Sequence, residues 1–337
     1  MRQYFYNIRV LPGLYQSLVK GLAYQKQYIQ KTIAIDIEEI KKEQDGSLND
    51  SDFKKITDYY GYAVPAILGE AFCILSGKAM TERERCAMTY LGALTGLFDD
   101  FFDEKNTPKN HIKKLLDNPQ EHLAGNSHEK LYVRFFRKAL ENSGNRNLLM
   151  NSFYEVYNAQ VLSKKQNLPE IAIEEIESIT LQKGGVSLLF YRSVLDGDIS
   201  VEEKILVYNL GSLFQLENDI FDVYKDYKSE IRTLATIETK ISNLRQTFTL
   251  MMDKTILSLG ATGFALENKK KFWRFISLIL LEGFVCLDFL EKNEKKTNGI
   301  FSPKDYNRSD LVCDMEKISN RARLLVYFIK QQLILPV

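Results

Sequence analysis

Residues 81–104 read TERERCAMTYLGALTGLFDDFFDE. Thr81 followed three residues later by Glu84 is a capping-box pattern, the Thr hydroxyl and the Glu carboxylate each answering a backbone N–H of a new helix. The apolar run behind it predicts a helix toward Asp103. That helix ends in four acids within six residues, Asp99, Asp100, Asp103 and Glu104. On a helix Asp99 and Asp103 share one face, as do Asp100 and Glu104. Acids at a helix C-terminus repel one another and oppose the helix dipole, which is negative there. A hard divalent cation resolves that repulsion, because Mg2+ takes oxygen ligands and keeps several waters. Leu97, Phe98, Phe101 and Phe102 around the acids argue against an ordinary solvated face.

Outward from this stretch, apolar residues recur at helical spacing almost everywhere. Leu14, Leu18, Leu22 and Tyr28 predict a first helix ending near Lys41. Ser51-Asp52 caps a second, which continues past a kink at Pro65. Further helices are expected over about 109–118, 128–143, 146–166, 170–197, 200–230, 232–258, 267–294 and 307–332. The chain of 337 residues has 18 Gly and 7 Pro, too few to punctuate a many-stranded β architecture. The polar hinges are short and no repeat is visible, so residues 1–337 read as one all-α domain. Within 181–192 (LQKGGVSLLFYR), Gly184-Gly185 costs about 2 kcal/mol against alanine in a helix. Two readings stand there: a loop between helices, or a helix break that exposes backbone and turns Lys183 or Arg192 toward a ligand.

Composition excludes several functions. The chain is 45% hydrophobic, and 45 Lys+Arg against 44 Asp+Glu leave a net charge of +1, which suits neither a disordered chain nor nucleic-acid binding through bulk positive charge. Cys73, Cys86, Cys286 and Cys313 form no CxxC pair, and His111, His122 and His128 have no zinc spacing, so disulfides, zinc and His-based catalysis are not expected. The first residues show no secretory pattern, and the window 275–290 carries Glu282 and Asp288 and reads as a buried helix, not an integral membrane span. A cytoplasmic protein is the expectation. The amphipathic stretch 324–337 reads first as a packed helix and second as a loose membrane contact.

A second acidic constellation lies at Phe214-Gln215-Leu216-Glu217-Asn218-Asp219-Ile220-Phe221-Asp222-Val223-Tyr224-Lys225-Asp226. Asn218, Asp222 and Asp226 recur at i, i+4 and i+8, an oxygen-bearing stripe on one helical face. Three such side chains can hold one octahedral cation and leave positions for water and phosphate oxygens. Lys225 can meet an anion as a point charge. Two such stripes in apolar helices are hard to explain as surface decoration.

These residues resemble the class I isoprenoid synthases. Asp99, Asp100 and Asp103, followed by Glu104, read as the DDxxD motif. Asn218-Asp219-x-x-Asp222-x-x-Lys225-Asp226 looks like a variant of the NSE motif of terpene cyclases, with Asp222 for Ser/Thr and Asp226 for Glu. The same segment is similar to the FQxxDDxxDV of prenyl diphosphate synthases. The resemblance covers about residues 80–232. It implies an all-α bundle around a central apolar cavity and about three Mg2+ ions, with Mn2+ as the substitute. The metal ligands it implies are Asp99, Asp100, Asp103, Glu104, Asn218, Asp222 and Asp226. The substrate would be a prenyl diphosphate, ionised to an allylic carbocation as metal ions stabilise the departing charge. Lys225 matches the family's basic position, and Lys183, Arg192, Arg232, Arg308 and Arg323 are further candidates for the diphosphate. Tyr90, Leu94 and Phe98, with Phe190, Tyr191, Phe214, Phe221, Tyr154 and Tyr157, are candidates for the dry cavity wall, since π faces attract cations. The family often forms homodimers.

A second substrate site for chain elongation calls for a G-K-x-x-R-P pattern, and Gly77-Lys78-Ala79-Met80 lacks its Arg-Pro. A terpene cyclase is therefore the first reading. Prenyl transfer is the alternative, because Asp99 to Asp103 and Asp222 to Asp226 each satisfy the DxxxD of squalene and phytoene synthases. The non-enzyme alternative is a helical interaction scaffold with solvated acidic patches.

Overall fold

The computed structural model describes residues 2–43, 45–103, 105 and 107–335, and every regular element among them is a helix. The expected all-α class is observed. The chain divides into two compact units. One holds residues 15–154 and 190–198; the other holds residues 1–14, 155–189 and 199–337.

In the 15–154 and 190–198 unit, the Glu82–Asp103 helix is the centre of the core and packs against the Ser127–Asn142 helix. Its start is the predicted capping box: the Thr81 backbone N–H donates to Glu84 Oε2 at 2.7 Å, and the Glu84 N–H donates to Thr81 Oγ1 at 3.2 Å. Phe98 stacks edge-on to Phe101, Phe102 and Phe153, and Phe153 meets Phe190, so the core beneath the acidic end is aromatic. The kink expected at Pro65 takes a definite form. Residues 50–76 run as helix interrupted by two wider π turns, Lys55–Tyr60 and Val64–Gly69, the second around the proline that has no N–H to donate. The first turn carries the Tyr60 carbonyl against Gly92, where an added Cβ would stand 2.6 Å from that oxygen.

In the other unit, the Val201–Phe221 helix packs against Ile241–Ala261, and both meet Leu266–Glu294, which also supports Ile318–Lys330. Gly184-Gly185 is neither a loop nor a helix break. The Ile173–Arg192 helix continues through both residues. A Cβ on Gly184 would lie 2.1 Å from the Gly211 carbonyl oxygen, and one on Gly211 would lie 2.2 Å from the Gly184 oxygen. The glycines let two helix backbones touch, which offsets their poor helix propensity. Ser212 Oγ ties the same crossing to the Leu181 carbonyl at 2.8 Å. Four expected helices are interrupted: the first becomes Arg2–Lys31 and Ile33–Glu43, 200–230 becomes Val201–Phe221 and Val223–Lys228, 232–258 becomes the turn Leu234–Ile237 and the helix Ile241–Ala261, and 307–332 becomes Arg308–Leu311 and Ile318–Lys330. Among the described residues no helix is long and apolar enough to cross a membrane.

Candidate active site

The second acidic constellation spans a joint. The Val201–Phe221 helix ends at Asp222, whose ψ of 10° breaks the regular geometry, and Val223–Lys228 follows. The i→i−4 bonds survive across it: Asp222 N–H donates to Asn218 C=O and Asp226 N–H to Asp222 C=O, both at 2.8 Å. The predicted stripe is unevenly buried, with Asn218 exposed, Asp222 half-buried and Asp226 buried. Sequence reasoning left Asp219 out of the site, yet Asp219 is the acid most firmly held. It is 4% exposed, and its carboxylate accepts from Gln215 Nε2 at 2.8 Å and Thr180 Oγ1 at 3.0 Å. Thr180 reaches it because the glycine crossing lays the Ile173–Arg192 helix on the Val201–Phe221 helix.

Burial pushes the Asp226 carboxyl up to about 7, and the charges of Asp219 and Asp222 push the same way while Lys225 and Lys183 oppose them. Burial likewise raises Asp219 to about 6, against the pull of Gln215, Lys183 and Thr180. The neighbouring acids thus add to burial in disfavouring ionisation of Asp219 and Asp226, and Lys183, half-buried one turn beyond Thr180, is a cation both of them feel. Lys225 is exposed and pairs with Asp222 at 3.5 Å. Arg232 follows on the same segment: its N–H donates to the Gln166 carbonyl at 2.9 Å and its carbonyl accepts from Gln166 Nε2 at 3.0 Å. Its buried Nε has no hydrogen-bond partner among the described residues.

The first constellation belongs to the 15–154 and 190–198 unit. Asp99 is half-buried and Asp103 exposed, while Glu104 lies outside the described residues. Asp100 is buried, and Lys55 Nζ meets its Oδ1 at 3.0 Å. A protein cation therefore already answers the Asp100 charge. Asp99 and Asp100 lie close enough to Tyr60, on the first π turn, that their charges add to burial in holding its phenol protonated far above its ordinary range. Tyr191, held by Thr95 through a 2.8 Å hydroxyl contact, is kept protonated by burial and by Asp99 as well. Sequence reasoning put Tyr191 among cavity-wall candidates and missed Tyr60; the kink at Pro65 and the glycines Gly92 and Gly96 were the only traces of it.

The other predicted residues divide. Arg192 is buried and donates to the Leu195 carbonyl at 3.2 Å, within the first unit. Arg323 lies 4.0 Å from Asp288, which also binds Arg245 and Tyr327. Tyr90 donates to Asp36 at 2.9 Å beneath Lys138, and Leu94, Phe98 and Phe190 are buried, whereas Phe214 and Phe221 are half-exposed. A cleft of about 450 Å³ in the first unit is lined by Leu123 and by polar residues, among them Asn110, Lys113 and Asp117, and by no residue of either acidic motif.

Among the described residues no three His, Cys, Asp or Glu side chains close on one point as a cation cage. Mg2+ needs no such cage, since it is held by one or two carboxylates with water and substrate phosphates completing the shell. The donor set fits that pattern. Asp219, Asp222 and Asp226 offer carboxylate oxygens, the hard donors that such an ion takes, with no soft donor among them.

No protein-family model matches the chain, and no curated protein matches it. Among solved structures the chain is similar to one described as a dehydrosqualene synthase in complex with ligand. The match has 15% identity and a TM-score of 0.46, and covers 94% of this chain and 97% of that one.

Proposed function

We propose that the chain ionises an allylic prenyl diphosphate in a Mg2+-dependent reaction, and that the carbocation closes within the same molecule to a terpene hydrocarbon or alcohol. The observation that carries this reading is the Asp219, Asp222 and Asp226 group, acids closely spaced along an apolar segment, of which Asp219 and Asp226 are buried and Asp219 is held by Thr180 and Gln215. Fold stability would not select it, and a bound cation with an anionic substrate would. Asp99 and Asp103 supply a second oxygen-bearing site. Bound Mg2+ would act as a Lewis acid on the leaving diphosphate.

The chain's own residues have separate tasks. Thr180 and Gln215 fix the Asp219 carboxylate and keep both its oxygens oriented. Lys183 and Arg232 provide cations for diphosphate oxygens, with Arg232 anchored through its backbone to Gln166. The half-buried Tyr60 and the buried Tyr191 are held protonated with help from the charge of Asp99, so they would present neutral hydroxyls and π faces, not extra charge, to a cation.

A second reading has its own support. Asp222 and Asp226 replace the Ser/Thr and Glu of the cyclase motif, and with Asp99 and Asp103 they make two DxxxD pairs. Under that reading the cation is captured by a second prenyl diphosphate. Purified protein with Mg2+ and geranyl, farnesyl or geranylgeranyl diphosphate separates the readings by mass spectrometry of the extracted products. Cyclic products from a single substrate support cyclisation. A dimeric product, or turnover that needs isopentenyl diphosphate, moves the assignment to prenyl transfer. No diphosphate release with any of them overturns the enzyme reading in favour of a helical scaffold.

A further inference from the structure

The charges of this chain are unevenly distributed. Residues 1–35 and 317–337 contain nine of the 45 Lys+Arg and none of the 44 Asp+Glu, so the rest of the chain holds 36 basic residues against 44 acidic ones. Parts of both acid-free segments meet within the unit formed by residues 1–14, 155–189 and 199–337. The buried side-chain amide of Asn7 reaches the carbonyls of Phe328, Ile329 and Gln331 at 3.0–3.3 Å, and Gln3 Nε2 donates to the Leu333 carbonyl at 3.2 Å. Arg274 donates to Asn7 Oδ1 at 3.3 Å and covers the Tyr6 ring at 4.5 Å. The start of the Arg2–Lys31 helix and the Ile318–Lys330 helix are thereby pinned together along their inner sides.

Their outer sides are greasy. Tyr4 and Ile8, one turn apart, are exposed, and Phe5 beside them is 65% exposed. On the other helix Ile318, Leu325 and Val326 stand at i, i+7 and i+8, one face, and Ile318 is 85% exposed; Ile334 just beyond is 74% exposed. Arg9, Arg321 and Lys330 are exposed around these apolar groups. A surface that joins aromatic and branched apolar side chains to cations, with no carboxylate in either segment, matches the interface of an anionic bilayer, where acyl chains and headgroup charges are presented together. A second copy would bring the same two acid-free segments with their cations, and like charges facing each other disfavour that pairing.

We propose that this face docks the protein on an anionic lipid surface, with the two helices lying in the interface plane. Docking places the chain on the membrane and not through it, in keeping with the lack of a helix able to span one among the described residues. The proposal is independent of the acidic constellations and of the reaction assigned to them.

The test is flotation of the full-length protein with vesicles of phosphatidylcholine alone and of phosphatidylcholine with about a third phosphatidylglycerol, read without any activity assay. Binding should be at least about tenfold stronger on the anionic vesicles and should fall steeply between low and high salt. The double variant Arg9→Gln/Lys330→Gln should bind about twenty-five-fold more weakly, since each surface cation contributes roughly fivefold. Ile8→Ser/Val326→Ser should also bind more weakly on the same vesicles, with helical circular dichroism unchanged. Equal binding to both vesicle types, or none to either, overturns the proposal. So does a concentration-dependent dimer in sedimentation velocity that Ile8→Ser/Val326→Ser abolishes, because the face would then belong to a second copy.

Discussion

Replacing Asp226 by Asn separates what the acidic cluster costs the fold from what it does. In the folded chain burial, with help from Asp219 and Asp222, holds the Asp226 carboxyl at about 7. In the unfolded chain an aspartate titrates near 3.9. The folded state therefore binds this proton more tightly, and wild-type stability falls as pH rises from about 4 through about 7, then levels off. Three units at 1.36 kcal/mol each set a ceiling of about 4 kcal/mol. Asp219, itself raised to about 6, is coupled to Asp226 and takes part of that, so the expected effect is about 2–4 kcal/mol. Asn cannot ionise. In EDTA, Asp226→Asn should match the wild type at pH 4 and be more stable by that margin at pH 8.5, read from urea-unfolding midpoints. Adding Mg2+ at pH 8.5 should restore the wild type and leave the variant unchanged. A variant less stable than the wild type at pH 8.5, or an equal difference at both pH values, would refute the electrostatic account of the cluster.

Asp99→Ala and Asn218→Ala should each abolish diphosphate release while the thermal midpoint stays within a few degrees of wild type; near-normal turnover in either would remove that residue from the ligand set. Thr180→Val removes a hydrogen bond to the Asp219 carboxylate. It should weaken Mg2+ binding roughly tenfold, the usual cost of losing a ligand-orienting partner, measured as the Mg2+ concentration that half-restores stability at pH 8.5. Gly211→Val adds side-chain atoms where a Cβ alone would stand 2.2 Å from the Gly184 oxygen, so it should destabilise by roughly 3 kcal/mol or more and lower both Mg2+ response and turnover. A fully stable Gly211→Val would show that the two backbones do not need to touch.

Much of the fold was legible because its signals are local. The Thr81 and Glu84 capping box is a contact between neighbours three residues apart, and the structure shows both of its hydrogen bonds. The i, i+4 spacing of Asn218, Asp222 and Asp226 follows from helical geometry, and its backbone bonds are present. Gly184-Gly185 was misread for the opposite reason. Propensity counts glycine as a helix breaker, and its actual use depends on Gly211 of another helix, 27 residues away.

Alone, the sequence determined that the chain is all-helical, where most of its helices lie, and that two of them carry acids that a solvated surface would not require. Periodicity, capping and like-charge repulsion act over a few residues and need no partner. Tertiary structure decided which of those acids are buried and what holds them. It gave Asp219 the hydroxyl of Thr180 and the field of Lys183, gave Asp100 the ammonium of Lys55, and left Asn218 exposed. These pairings arise where one backbone crosses another, and the place of such a crossing is set by side chains far apart along the chain.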